Sequence, residues 1–170
     1  MSKLIVNTIE AETYKYDSDT TGLTLNSDGS MTKPNQVRFF ARLSSDYAFS
    51  AGANGNWSTD DASWSTTINV GSGFSGGKFT APVAGHYMFY ASFYANPHSS
   101  SSYHGCYFHG SGVDSTTYGF YASEGANDTA TSLSAMYDMA ANEEIKLAHY
   151  PSGSGTLKVS GTFWYGYLMG

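Results

Sequence analysis

The sequence predicts an all-β sandwich. Three observations carry this prediction: an alternating pattern at residues 85–95, a second at residues 162–169, and a composition rich in aromatic residues and glycine. Aromatic residues make up 16% of the 170 residues, charged residues only 13%, and there are 19 glycines. Aromatic residues favour strands, and glycine supplies the tight turns that antiparallel sheets need. A chain of this length most simply forms one domain with a short extension.

The pattern that begins at Gly85 predicts a long central strand. Two sets of residues alternate there, Tyr87, Phe89, Ala91, Phe93 and Ala95 on one face and His86, Met88, Tyr90, Ser92 and Tyr94 on the other. Both faces are largely apolar or aromatic. A strand covered on both sides is central in its sheet, and part of the cover can come from another subunit.

The first 36 residues predict an extended N-terminal segment. Residues 4–9 are rich in β-branched side chains and predict a strand. Further on, Leu23 and Leu25 alternate with Thr24 ahead of a turn at residues 26–29, and Met31 follows. This segment holds too few apolar groups to fold by itself. We therefore place a boundary at residues 33–36, where Pro34 disfavours regular structure before it.

From residue 37 onward the chain predicts a series of strands. Alternation of Val37, Phe39, Ala41 and Leu43 with more polar neighbours indicates a strand with one apolar face. Residues 44–63 are polar and predict an exposed loop or a set of short edge strands. That stretch contains the candidate ligand-facing residues, Trp57, Asp60 and Asp61.

The second half of the chain also predicts a series of strands. Residues 103–109 predict one strand, and residues 113–122 an extended segment. Residues 133–147 could form a helix, but Asn142, Glu143 and Glu144 fall where an apolar stripe would have to continue. Two strands with a turn at Asn142 fit better, since asparagine tolerates a positive φ.

Residues 79–89 resemble the signature of the C1q domain, which runs Phe, five residues, Gly-x-Tyr-x-Phe. Here those positions are Phe79, Gly85, Tyr87 and Phe89. Asn69 with Phe74 fits the upstream part of the signature, although the turn between Phe74 and Phe79 is shorter than the family's. Residues 139–147 resemble the family pattern Leu-x-x-Gly-Asp-x-Val-x-Leu with asparagine in place of glycine, and residues 162–169 resemble the closing strand. The resemblance covers residues 37–170.

This resemblance implies a jelly-roll β-sandwich of the C1q and tumour necrosis factor type, in which three copies pack around an axis with their inner sheets meeting. The doubly apolar strands at residues 85–95 and 162–169 agree with a homotrimer. The expected trimer interface comprises Met88, Tyr90, Tyr94, Phe163, Tyr165 and Tyr167. The expected core comprises Phe39, Phe79, Tyr87, Phe89, Phe93, Ile145 and Leu147.

The N-terminal segment resembles the corresponding pieces of bacteriophage fibre proteins. Its pattern is Leu-x-Val-Asn-Thr-Ile, then Gly-Leu-Thr-Leu, then Ser-Asp-Gly-Ser-Met. In such fibres three chains wind or stack together and one end docks on the virion. An ordinary β-hairpin packed on its own domain explains the residues equally well. The resemblance implies that residues 1–36 form a stem that binds other virion proteins.

Several functional classes are disfavoured by the sequence. A net charge of −6 with only eight Lys and Arg argues against nucleic-acid binding, and no apolar run approaches the roughly 20 residues needed to insert into a membrane. The N-terminus has too short an apolar core for a secretory signal. His104 and Cys106 would face one way on a strand and His109 the other, which disfavours a metal site. Cys106 is expected to be a buried small hydrophobe.

We therefore expect a non-enzymatic virion protein on the phage surface, in a tail or capsid appendage, without a required cofactor. Its trimeric head would serve adhesion to a host glycan or protein, or would be purely structural. C1q domains sometimes hold calcium, but the acidic residues here show no calcium-loop spacing. One alternative is a secreted C1q-like lectin or adhesin of cellular origin. Another is a polysaccharide-cleaving fibre tip, although no pair of carboxylates is evident.

Overall fold

A computed structural model describes residues 13–15, 21–49, 57–58, 62–96, 103–111, 118–122 and 128–169. The chain divides into two compact units, Met1–Gln36 and Val37–Gly170. Every regular element in these described ranges is a β-strand, so the all-β prediction is confirmed. The strand predicted at residues 4–9 lies outside the described residues.

The first unit contains a three-stranded antiparallel sheet. Its strands are β1 (Thr13–Lys15), β2 (Thr21–Leu25) and β3 (Met31–Thr32), with β2 in the middle. The turn predicted between β2 and β3 is present. The backbone N–H of Asn26 donates to the Ser30 carbonyl at 2.8 Å, and Gly29 has a φ of +82° that favours glycine.

The second unit consists of two antiparallel sheets. Its strands are β4 (Arg38–Leu43), β5 (Tyr47–Phe49), β6 (Trp57–Ser58), β7 (Trp64–Val70), β8 (Phe74–Ser75), β9 (Lys78–Thr80), β10 (Gly85–Asn96), β11 (Tyr103–Gly110), β12 (Tyr118–Ala122), β13 (Thr129–Met139), β14 (Glu144–Pro151), β15 (Gly155–Leu157) and β16 (Phe163–Leu168). The first sheet runs β13-β10-β16-β4-β7, and β15 and β5 continue it beside the end of β10. The second sheet runs β12-β11-β14-β9-β8, with β6 beside β14.

Strand β10 is central in the first sheet, as its sequence predicts. It pairs with β13 from Gly85 to Ala95 on one side. On the other side it pairs with β16 from Tyr87 to Ser92 and then with β15 at Ala95 and Asn96. Because both backbone edges of β10 are hydrogen-bonded to neighbouring strands, any further partner can contact β10 only through the side chains on its two faces.

The core is built from one face of β10 together with the inward side chains of its neighbours. The seven expected core residues are each at most 2% exposed: Phe39, Phe79, Tyr87, Phe89, Phe93, Ile145 and Leu147. Trp164 of β16 and Cys106 of β11 are fully buried with them. Rings supply much of this core, and Phe39 lies 5.0 Å from both Phe74 and Phe79 between ring centroids.

Two short turns show how local sequence shapes the sheets. Gly76 and Gly77 both have positive φ, +56° and +77°, and form the two-residue turn between β8 and β9. This tight hairpin accounts for the short spacing between Phe74 and Phe79 in the sequence. Asn142 has a φ of +69°, as expected at the turn between β13 and β14. Its backbone N–H donates to the Ala81 carbonyl at 2.8 Å.

Candidate functional site

The outer face of the first sheet carries a cluster of four aromatic rings. Phe40 of β4 pairs directly with Tyr165 of β16, and Tyr165 pairs with Tyr90 of β10. Phe163 lies two residues before Tyr165 and therefore shares its face. All four side chains are half-buried. We call Phe40, Tyr90, Phe163 and Tyr165 the aromatic cluster.

The four rings stack on one another in an ordered arrangement. Tyr90 lies 5.3 Å from Tyr165 and 6.0 Å from Phe163 between ring centroids. Phe40 lies 5.6 Å from Phe163 and 6.3 Å from Tyr165. The interplanar angles of these four contacts are between 15° and 29°, so the rings are nearly parallel. Stacked rings form a firm surface that loses little side-chain entropy when another molecule covers it.

A methionine row extends the apolar surface beside the aromatic cluster. Met88 of β10 stands between Met136 of β13 and Tyr167 of β16 in the sheet register. Met136 is 61% exposed and Tyr167 39% exposed. Large apolar side chains that adjoin one another on a surface mark an interaction site more often than scattered ones do.

Polar groups lie at the two ends of β10 on this same face. At one end, His86 Nδ1 and Asp138 Oδ1 are 3.5 Å apart, and both side chains are well exposed. At the other end, the Tyr94 hydroxyl donates to Asp128 Oδ2 at 2.5 Å, and Asn96 Nδ2 donates to Asp128 Oδ1 at 2.7 Å. The hydrogen bond to the Asp128 carboxylate raises the pKa of Tyr94 above its ordinary value. An apolar centre with polar margins is the usual anatomy of a protein interface.

The structure places all six expected interface residues on this outer face: Met88, Tyr90, Tyr94, Phe163, Tyr165 and Tyr167. Their positions follow from the alternation in β10 and β16. Two further residues of this face, Phe40 and Met136, are not predicted from the sequence. Phe40 stands between two arginines in the sequence, and only the strand register brings it to the rings of β16.

The expected ligand-facing loop is described only in part. Trp57 lies in β6, where its backbone pairs with His149 of β14. Asp60 and Asp61 lie outside the described residues, so their role as ligand-facing groups stays a prediction.

The described ranges hold neither a cluster of metal ligands nor a membrane-spanning helix. There, no three His, Cys, Asp or Glu side chains lie close enough together to hold a metal ion. None of the described segments forms a helix that is long and apolar enough to cross a membrane.

Solved structures identify the class of fold. The chain is similar to Eiger TNF from S. frugiperda with 10% sequence identity and a TM-score of 0.58, covering 80% of this chain and 94% of that one. For murine APRIL at pH 5.0 the identity is 9% and the TM-score 0.59, with coverage of 79% and 99%. For the globular domain of zebrafish complement 1qA the identity is 11% and the TM-score 0.55, with coverage of 79% and 98%.

The protein is therefore a jelly-roll of the C1q and tumour necrosis factor type. The predicted fold class is confirmed at this level. No family profile matches the sequence, and no curated protein matches it either. At these identities the likeness establishes the fold, and the activity must be argued from the surface of this chain.

Proposed function

We propose that this protein is a non-enzymatic binding module that assembles as a homotrimer through the outer face of its first sheet. The observation that carries the proposal is the aromatic cluster with the adjoining methionine row. These side chains form an apolar surface across four neighbouring strands, β13, β10, β16 and β4. Arg38 and Arg42 of β4, which pair with Tyr167 and Phe163, flank it on the same face. Exposing such a surface to water is unfavourable, because each buried large apolar side chain contributes about 1.5–3 kcal/mol.

A closed ring of three copies would cover this surface without leaving it open to further association. Cyclic assemblies bury matched patches and stop growing once the ring closes. The polar groups at the two ends of β10 would then lie toward the rim of the contact. Aromatic and methionine side chains are enriched at the centre of such interfaces, which supports this assignment.

The proposed biological setting is the surface of a phage particle. Residues 1–36 would attach the protein to other virion proteins, and the trimeric head would present its loops to a host glycan or protein. The resemblance of the N-terminal segment to phage fibre proteins supports this part of the proposal. A second candidate is a C1q-like lectin or adhesin of cellular origin, which is favoured by similarity to animal TNF and complement structures.

The solution mass of the full-length protein, measured by light scattering, tests the trimer. The chain weighs 18.3 kDa, so a trimer weighs about 55 kDa. Replacing Tyr165 with aspartate places a charge inside the aromatic cluster, and we expect monomers with an unchanged circular dichroism spectrum. Val83→Asp is the matched control, since Val83 is also apolar and is 46% exposed but lies in the loop before β10.

A wild-type mass near 18 kDa would refute the proposed assembly. Equal effects of Tyr165→Asp and Val83→Asp would show that the aromatic cluster is not the contact surface. Binding of purified trimer to host cells, lost after enzymatic removal of surface glycans, would distinguish a glycan receptor from a protein receptor. Release of reducing sugar from host polysaccharide would contradict a purely binding role.

A further inference from the structure

The outer face of the second sheet carries a row of three basic side chains. His109 of β11 pairs directly with Lys146 of β14, and Lys146 pairs directly with Lys78 of β9. Residues that stand opposite each other in antiparallel strands project from the same side of the sheet, with Cβ atoms about 4.5–5.5 Å apart. The neighbours of Lys146 in β14, Ile145 and Leu147, are buried in the core, so the row lies on the outer side. We call His109, Lys146 and Lys78 the basic row.

Solvent reaches all three members of the basic row. His109 is exposed, and Lys78 and Lys146 are half-buried. Half burial is usual for a lysine whose aliphatic stem lies along a surface while its ammonium group stays in water. The row faces away from the first sheet, so the proposed trimer would leave it on the outside of each copy.

The charges on this face are unevenly balanced. Two like charges directly opposite each other destabilise a pair of strands. The two carboxylate oxygens of Glu144 each lie 3.0 Å from Lys78 Nζ, but these side chains are 45% and 39% exposed, and exposed ion pairs contribute little. Among the described outward side chains of β9, β11 and β14, the charged groups are therefore two lysines and one glutamate, in a chain whose net charge is −6. A bound anion would relieve the repulsion between the two lysines and so stabilise the sheet.

Hydroxyl side chains border the basic row. Ser75 of β8 pairs with Lys78 and continues the row at one end. Thr80 pairs with Glu144, whose backbone N–H donates to Ser111 Oγ at 3.1 Å. Ser75 and Ser111 are exposed, and Thr80 is half-buried. Hydroxyl groups donate and accept hydrogen bonds, so this face combines cations that fit anionic groups with neutral groups that fit the hydroxyls of a sugar.

We propose that the basic row binds an acidic polysaccharide, one whose anionic groups are spaced along its chain. A row of side chains on a sheet face offers successive contacts, which suits an extended polymer. A densely charged nucleic acid fits less well, because the net charge of −6 would repel it and only two lysines could neutralise its phosphates. The inference rests on the proposed binding role of the head and adds the chemical class of the ligand and the face that holds it.

The trimer would strengthen this binding without any new contact. Three basic rows on one particle could bind the same long polymer, and linked sites of this kind raise the overall affinity by about 10²–10⁴-fold when they bind simultaneously. We therefore expect the Tyr165→Asp monomer to bind at least about tenfold more weakly than the trimer, although its basic row is unchanged.

Binding of the full-length protein to modified dextrans tests the proposal. Carboxymethyl-dextran is the acidic probe, and unmodified dextran has the same backbone without charge. We expect binding to the acidic polymer alone, and weaker binding as salt is raised. The double variant Lys78→Gln/Lys146→Gln should bind at least about tenfold more weakly, because it loses two charged hydrogen-bond donors. The matched control Lys33→Gln/Lys158→Gln lowers the net charge equally at lysines outside the row and should stay within about twofold of wild type.

Single variants of Lys146 separate binding from folding. Lys146→Arg keeps the charge in place and should retain binding, whereas Lys146→Gln should weaken it without lowering Tm, since the variant also removes a like-charge contact. A Lys146→Gln protein that binds like wild type but unfolds at a lower temperature would mean that this lysine serves the fold, and the inference would be overturned.

Three further results would overturn the inference. Equal losses in the two double variants would mean that binding depends on overall charge. Tighter binding to a DNA oligonucleotide than to carboxymethyl-dextran would make nucleic acid the ligand. Glycan-dependent binding to host cells without binding to carboxymethyl-dextran would place recognition elsewhere on the head and leave the proposed function standing. Failure to bind both host cells and every polymer would refute the proposed binding role as well.

Discussion

Replacing Gly166 with alanine tests how closely the core is packed around β16. Gly166 pairs with Phe89 of β10 on one side and with Phe39 of β4 on the other. A Cβ atom at this position would lie 2.5 Å from Cδ1 and 2.6 Å from Cε1 of Phe89, and 2.8 Å from Cε1 of Phe39. Favourable carbon–carbon contacts are about 3.5–4.0 Å. The two rings would therefore have to retreat by about 1 Å.

Neither ring has free space to move into. Phe89 is fully buried, and its ring centroid lies 5.8 Å from that of Phe108 and 6.2 Å from that of Trp164. Phe39 is held by its stacking on Phe74 and Phe79. Overpacking a closed core of this kind costs about 1–3 kcal/mol. For a chain of this size that free energy lowers Tm by about 2–12 °C.

Urea denaturation of Gly166→Ala, followed by circular dichroism, measures this loss of unfolding free energy. Phe89→Leu provides the control, because it removes ring atoms from the position that the new methyl group would occupy. We expect the double variant to be less destabilised than the sum of the two single variants, since the clash is then relieved. A Gly166→Ala protein whose free energy of unfolding lies within about 0.5 kcal/mol of wild type would show that the rings have room to move and would refute the predicted clash.

Two further predictions concern the surface turns. Asn142→Ala should lower the free energy of unfolding by about 1–2 kcal/mol, because a φ of +69° is unfavourable for a residue that has a Cβ atom but no short polar side chain. Asn142→Gly should not lower it. Urea denaturation in which the alanine variant is more stable than the glycine variant would contradict this prediction. Asp46 accepts hydrogen bonds from Lys158 Nζ at 2.5 Å and from the Val159 N–H at 2.9 Å, and these bonds, the Lys158 side chain first, hold its pKa below the usual 3.8. Because the folded-state pKa is depressed, the stabilisation is present above pH 3.8 and is lost as the pH falls through the lower folded-state value. The Tm of wild type should therefore exceed that of Asp46→Asn at neutral pH and approach it in acid, and a difference that stays constant with pH would refute this account.

Much of the strand pattern could be predicted because side chains alternate between two environments. In β10, Tyr87 and Phe89 are buried while Met88 and Tyr90 lie on the outer face, as their spacing implies. The turn at Asn142 could also be predicted from the sequence, since asparagine is one of the few residues that tolerate a positive φ. These features depend on a residue and its near neighbours, which a linear sequence displays directly.

Other features depend on which strands become neighbours. Phe40 follows a core residue and sits between Arg38 and Arg42, so its sequence context suggests the solvent face of a strand. It joins the aromatic cluster only because β4 pairs with β16 at the register that sets Phe40 opposite Tyr165. Met136 likewise becomes part of the apolar surface because β13 pairs with β10. Neither pairing can be deduced from alternation within one strand.

The outer face of the first sheet depends both on alternation within single strands and on the order in which the strands pair. The sequence by itself determined that two strands, residues 85–95 and 162–169, carry apolar side chains on both faces, because alternation is a local property of extended chains. Only the tertiary structure decided that their outer faces merge into one continuous surface with β4 and β13. Strand order and register are set by hydrogen bonds and packing between residues far apart in the chain, and a shift of one residue would send every one of these rings to the opposite face.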